Sequence, residues 1–267
     1  MKSKLRLVFL IGLALAATVQ ADTLDRIKDK GVLSVGVRNG MRPFGFVDRA
    51  KMELVGYDVD FARAVASKLG VKVNLTSSDA PLIPLLQQGK IDLVAGAMTK
   101  SPERMAQCEF SLTYYETGQT FLVKKGAITK RAQLAGKKIG TARSSTSERN
   151  LKNALPDAII VRFASYREAF RALELGSVAA VSTDATILAG LLGTASHRAA
   201  YEILDESISE EPYGLGVRKG EQRLLEAVNR ALLELEQSGE AARIYERWFG
   251  QNTRTPLKRT FRISADK

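Results

Sequence analysis

The strongest constraint on this chain is an alternation of short apolar runs with amphipathic helical stretches. Val32-Leu33-Ser34-Val35-Gly36-Val37 reads as a largely apolar strand, suited to a sheet covered on both faces. From Asp58 a helix is predicted, with Val59, Ala62, Val65, Ala66 and Leu69 on one face at 3.6 spacing and Gly70 as its stop. Residues 71–75 alternate as a strand, 81–88 form a short helix ended by Gly89, and 91–98 are another apolar strand. This is the β-α-β-α-β pattern of a parallel sheet with helical crossovers.

A second round follows. Strands are expected at 121–123, 138–141, 158–162 and 179–181, with helices from Ser145 and over 166–175. A C-terminal helix around Leu224, Val228, Ala231 and Leu235 ends near Gly239, and a shorter one carries Ile244, Tyr245 and Trp248. Two α/β rounds and a helical tail predict two lobes, with the tail returning to the first.

Composition removes most catalytic machinery. One cysteine, Cys108, and one histidine, His197, exclude an internal disulfide and a Cys/His zinc cluster. No phosphate-binding GxxxxGK[ST] loop occurs. The net charge is +11, but the cations are scattered without a run of five, which reads as a solvated surface rather than a nucleic-acid footprint. Residues 1–21 carry Lys2, Lys4 and Arg6 before an apolar run of 11 residues and the small-residue site Val19-Gln20-Ala21. That is the form of a cleavable signal peptide, and the apolar run is too short to span a bilayer. A soluble, exported protein is expected, which in a bacterium means the periplasm or the cell exterior.

Three segments lie where strands end, the usual place for ligands in α/β sheets. In the first, 140–148, Ser145 and Glu148 fit a capping box, and the helix start at Ser145 and Thr146 offers free N–H groups to an anion beside Arg143. Ordinary capping explains the same residues. In the second, Arg104 can fork onto a carboxylate and Thr99 adds a hydroxyl, unless Arg104 simply faces water. In the third, Asp184 can hold an ammonium or cap a helix. Asp58 and Asp60 sit two apart in a first helical turn, so they are read as dipole partners rather than a catalytic pair. His197 is expected at the surface and Cys108 in the packing.

These residues converge on a resemblance. Gly56-Tyr57-Asp58-Val59-Asp60-Phe61, with Val65-Ala66 and Leu69, resembles the signature of the periplasmic amino-acid-binding proteins of ABC importers, solute-binding family 3. Thr23 to Ile27, Ile83 to Gln87, Thr146-Ser147-Glu148, Phe170 to Glu174, Ser238 to Ala241 and Trp248-Phe249 resemble the glutamate/aspartate branch. The resemblance implies a type II periplasmic-binding-protein fold: two α/β lobes, each a sheet flanked by helices, on a two-stranded hinge. Lobe 1 would be 22–115 with 213–267, and lobe 2 would be 116–212.

It also implies roles. Arg104 would clamp the α-carboxylate with Thr99, Asp184 would receive the α-ammonium, and Ser145 and Thr146 would meet the ligand from the second lobe. Arg38 matches an arginine aimed at the pocket for acidic ligands. Three positions depart from the branch: Leu82 replaces an arginine, Ala97 a serine and Tyr166 a histidine, with Arg143 a candidate substitute charge. The implied function is capture of a free L-amino acid, glutamate or aspartate with glutamine or asparagine next, and delivery to an ABC permease. A monomer without cofactor or metal is expected, and no catalysis. The alternatives are a cyclohexadienyl (prephenate/arogenate) dehydratase on the same scaffold, and a sensor that presents its ligand to a receptor.

Overall fold

The computed structural model describes residues 22–265, so the signal peptide expected at 1–21 lies outside the described residues. Two five-stranded sheets organise the chain. In the first, the strand order is Lys72–Ser77, Val32–Val37, Leu93–Ala95, Glu211–Val217, Glu109–Thr117. In the second it is Ile159–Phe163, Lys138–Ala142, Ala180–Asp184, Gln119–Lys124, Tyr201–Ile203. Both follow one plan: three parallel strands, then two that each run antiparallel to the neighbour. The chain leaves the first sheet after Thr117 and returns to it at Glu211.

The parallel sheet predicted from the alternation is therefore corrected to a mixed one. Glu211 pairs with Thr117 and Tyr213 with Tyr115, although the two strands lie far apart in sequence. Local periodicity carries no sign of a partner that distant. The strand expected over 91–98 shortens to Leu93–Ala95, because Ala97 turns the chain with a left-handed φ of 47°. A third sheet of Gly40–Met41, Gly45–Asp48 and Glu53–Val55 was not foreseen. It closes on Gly56 at φ 143°, where an added Cβ would stand 2.0 Å from the Phe44 carbonyl oxygen, so only glycine fits.

The helix Tyr57–Lys68 buries Tyr57, Phe61 and Ala64 as well as the expected Val59, Ala62, Val65 and Ala66. It is covered on more than one side, by the first sheet and by the C-terminal helices Gln222–Gln237 and Glu240–Phe249. A helix so enclosed loses the single apolar stripe of a surface helix. Rings from Phe44, Tyr57, Tyr115, Tyr213 and Phe249 pack edge-to-face and stacked behind the paired strands that join the two sheets. That geometry favours aromatic pairs beyond simple area burial, and it gives the two crossings a stiff support.

Candidate functional site

Four parallel strands deliver side chains or loops at their C-terminal ends into the space between the sheets. Arg38 follows Val32–Val37; Thr99 and Arg104 lie beyond Leu93–Ala95; Ser145 and Thr146 lie beyond Lys138–Ala142; Asp184 ends Ala180–Asp184. Strand ends cluster because parallel neighbours finish on the same edge, which is why residues so scattered in sequence meet here.

Arg104 sits on the short helix Pro102–Met105, capped by Ser101, and its Nη1 donates to the Thr99 carbonyl at 3.2 Å. Asp184, from the other sheet, is 3% exposed. One of its oxygens accepts a hydrogen bond from the Tyr213 hydroxyl, which belongs to the first sheet. The other, Oδ1, is buried without a hydrogen-bond partner among the described residues. Burial pushes the Asp184 carboxyl up to about 7, with the negative charge of Glu211 acting in the same direction, against the Tyr213 hydrogen bond and the charge of Arg104. Glu211 is itself 2% exposed; its Oε1 accepts from Asn150 and Ser209, each at 2.6 Å, while Oε2 is buried and unpartnered among the described residues. Buried carboxylate oxygens in a protein are normally satisfied, so two of them in one place call for an explanation.

Arg38 donates from Nη1 to the Ala80 carbonyl at 2.7 Å. Burial lowers the pKa of its guanidinium, opposed by Asp79 and Tyr166 and reinforced by Arg104. The Tyr166 hydroxyl lies 3.0 Å from Ser147 Oγ, and burial followed by the Asp184 charge raises its pKa. Arg38, Arg104, Tyr166 and Asp184, two from each half, thus feel one another electrostatically.

Other expected residues fall elsewhere or are already engaged. The Ser145 hydroxyl donates to the Ala142 carbonyl at 2.6 Å and accepts from the Glu148 N–H at 3.1 Å, so it caps the helix Thr146–Ala154. Glu148 reaches back to the Ser144 N–H and not to that of Ser145, which makes the capping box incomplete. Thr146 is buried at the helix start. Leu82 is 5% exposed among Ile83, Leu86, Ile91, Val94 and Met98, packed over Gly36 and Gly96. It is a core residue, because two glycines leave a hollow that its side chain fills. Arg143 is exposed. His197 is exposed and Cys108 buried, its thiol pushed up to about 11 by burial.

Asp58 does more than complement a helix dipole. Its Oδ2 accepts from the Ala97 N–H at 2.7 Å and its Oδ1 from the Tyr114 hydroxyl at 2.5 Å. It thereby anchors the left-handed turn that leads to Thr99. Tyr213 and Glu211 were not singled out for the site; both belong to the returning strand, and nothing local in the sequence pairs that strand with Asp184.

The two halves touch at several points. The Tyr115 hydroxyl lies 3.0 Å from Thr186 Oγ1, Arg149 pairs with Glu103 at 3.2 Å, and Gly190 on the helix Ala185–Leu192 is so close to Arg42 that an added Cβ would stand 2.1 Å from its carbonyl oxygen. Beside Arg38 and Tyr166 opens a cavity of about 510 Å³, also lined by Asp79 and Ala142.

A family description, bacterial extracellular solute-binding proteins, family 3, matches residues 33–251. The chain is 34% identical to the ABC transporter glutamine-binding protein GlnH of Bacillus subtilis, over 86% of each. It is 32% identical to an L-glutamate/L-aspartate-binding protein of Pseudomonas aeruginosa, covering 91% of this chain and 86% of that one. The solved structure of an ancestral arginine-binding protein bound to glutamine superposes with a TM-score of 0.76 at 42% identity, covering 83% of this chain and 99% of the other. A match over most of the chain, joined to a two-sheet fold with a cleft at the strand ends, makes this chain a member of the bacterial extracellular solute-binding proteins, family 3.

Proposed function

We propose that the cleft captures a free α-amino acid outside the cytoplasm and hands it to an ABC permease. Arg104 takes the α-carboxylate, helped by Thr99, and Asp184 takes the α-ammonium. The observation that carries this reading is Asp184 Oδ1, buried without a partner among the described residues and facing a site that Arg104 also reaches. A bound ammonium would satisfy that oxygen and favour the ionised acid. The names of the relatives, all binding proteins for amino acids, support binding rather than dehydration.

In this reading 22–115 with 213–267 form one lobe and 116–212 the other, and the ligand holds them together. Arg104 and Asp184 come from different sheets, so only the closed arrangement meets both ends of the zwitterion, and ligand shifts the population towards closure. Arg38 at the cavity wall favours an acidic side chain, glutamate or aspartate, with the uncharged glutamine and asparagine next. Among the described residues no helix is long and apolar enough to cross a membrane.

The test is Arg104→Ala on protein stripped of endogenous ligand by unfolding and refolding. Leaving a buried carboxylate unpaired costs about 3–5 kcal/mol, or roughly a hundred- to several-thousandfold in affinity. A thermal-shift screen of the common amino acids names the ligand first, since stabilisation grows with ligand concentration over Kd. An unchanged Kd by calorimetry removes Arg104 from the site.

A further inference from the structure

We propose that the outer part of the cleft is a second anion subsite, so that the site also takes an α-amino acid whose side chain extends beyond the length of glutamate and ends in a carboxylate. This deepens the reading above and rests on it.

The cavity beside Arg38 and Tyr166 is too large for a glutamate or glutamine side chain. At about 510 Å³ it is in the size range of a site for a small organic ligand. Arg38 and Tyr166 link it to the grip: both line it, and both are coupled electrostatically to Arg104 or Asp184. Met41, Ile187 and Leu191 give the cavity apolar walls, and three further cations line it.

Those cations are Arg42 and Arg49 from the small third sheet and its loop, and Arg167 from the helix Tyr166–Glu174 of the other half. The acids near them are Asp79 on the cavity wall, Asp48 beside Arg42, and Glu168, whose carboxylate accepts from the Ala164 N–H and the Ser165 hydroxyl on the same wall. Some surface arginines find an acid within ion-pair distance, as Arg149 does with Glu103 and Arg247 with Asp60, and others such as Arg143 and Arg230 do not among the described residues. Arg42, Arg49 and Arg167 find none that close among the described residues. Arg42 is held over the Phe46 ring, its guanidinium carbon 3.6 Å from the centroid, which fixes its direction. Burial, then the charges of Arg167 and Arg254, make its own positive charge harder to keep. Like charges gathered from two halves of a molecule repel unless an anion joins them, and a cleft of one sign focuses its field on such an anion. The guanidinium fork suits a carboxylate.

Two probes of nearly equal shape isolate the far end. γ-Glutamylglycine ends in a carboxylate; γ-glutamylethylamide ends in a methyl group. Titration calorimetry on refolded, ligand-free protein should find the first bound about tenfold tighter or more, the size expected of one charge-assisted contact. The preference should shrink with added salt and fall towards one in the double variant Arg42→Gln/Arg167→Gln. Equal affinities for the two probes, or a preference that survives the double variant, overturns the subsite. If glutamine or glutamate binds and neither conjugate does, the subsite fails while amino-acid capture stands. If no α-amino acid binds at all, both readings fail together.

Discussion

Asp58 and Asp184 are both buried, both beside a tyrosine hydroxyl, and both pushed up to about 7 chiefly by burial. They differ in what their second oxygen does. Asp58 spends it on the Ala97 N–H, so both oxygens are satisfied within the first half of the molecule. Asp184 reaches across to Tyr213 with one oxygen and leaves the other unpartnered among the described residues. The same residue type at the same burial is fully satisfied in one place and only half satisfied in the other. Burial alone therefore does not set the two carboxylates apart; the hydrogen-bonding capacity left over does.

The largest expected effect is on binding. If Asp184 receives the α-ammonium as proposed, Asp184→Ala should weaken amino-acid affinity by roughly a hundredfold or more, about 3–5 kcal/mol. Titration calorimetry checks it, and an unchanged affinity breaks the contrast at once. Asp58→Ala should act on the fold instead. It strands one N–H and one O–H, at about 1–3 kcal/mol each, and for a chain of this size Tm should fall by about 10 °C in a ligand-free melt.

Gly190→Ala sharpens the comparison without touching either acid. The added methyl meets the Arg42 carbonyl oxygen of the opposing half, so closure is opposed while the helix itself gains by about 1 kcal/mol in propensity. We expect about tenfold weaker binding with an unchanged or raised Tm for the ligand-free protein. If affinity stays constant, the two halves do not need this approach to hold ligand.

The smallest effect is in the pH profile. Both carboxyls have folded-state values raised from 3.8 to about 7. Their contribution to stability is therefore full below pH 3.8 and is lost as pH rises through about 7. Asp184→Asn, which keeps a side chain able to bond Tyr213 but carries no charge, should flatten the ligand-free stability profile between pH 5 and 8. Chemical denaturation across that range reads it. A slope identical to that of the parent protein would mean that Asp58 carries all of the dependence.

Much of this was legible in the residues. The helix Tyr57–Lys68, the strand Val32–Val37 and the cap at Ser145 follow from short-range periodicity and turn chemistry, which act over a few residues. Arg104, Thr99 and Asp184 could be nominated because each follows a predicted strand. Leu82 could not be read the same way. Its place at the pocket was implied only by the resemblance, where it stands in for an arginine, and Gly36 and Gly96, each brought close by the sheet, turn it into packing.

What the chain determined by itself is the alternation of the parallel strands with their helices and the residue types at their ends, since both depend on local preference and hydrophobic period. What only the tertiary structure decided is which of those ends share a space. The return of Glu211–Val217 to the first sheet brings Tyr213 to Asp184, and the unforeseen third sheet carries Arg42 and its neighbours to the mouth of the cleft. Such contacts join residues distant along the chain, and their energy comes from burial and electrostatics that exist only once the chain has closed on itself.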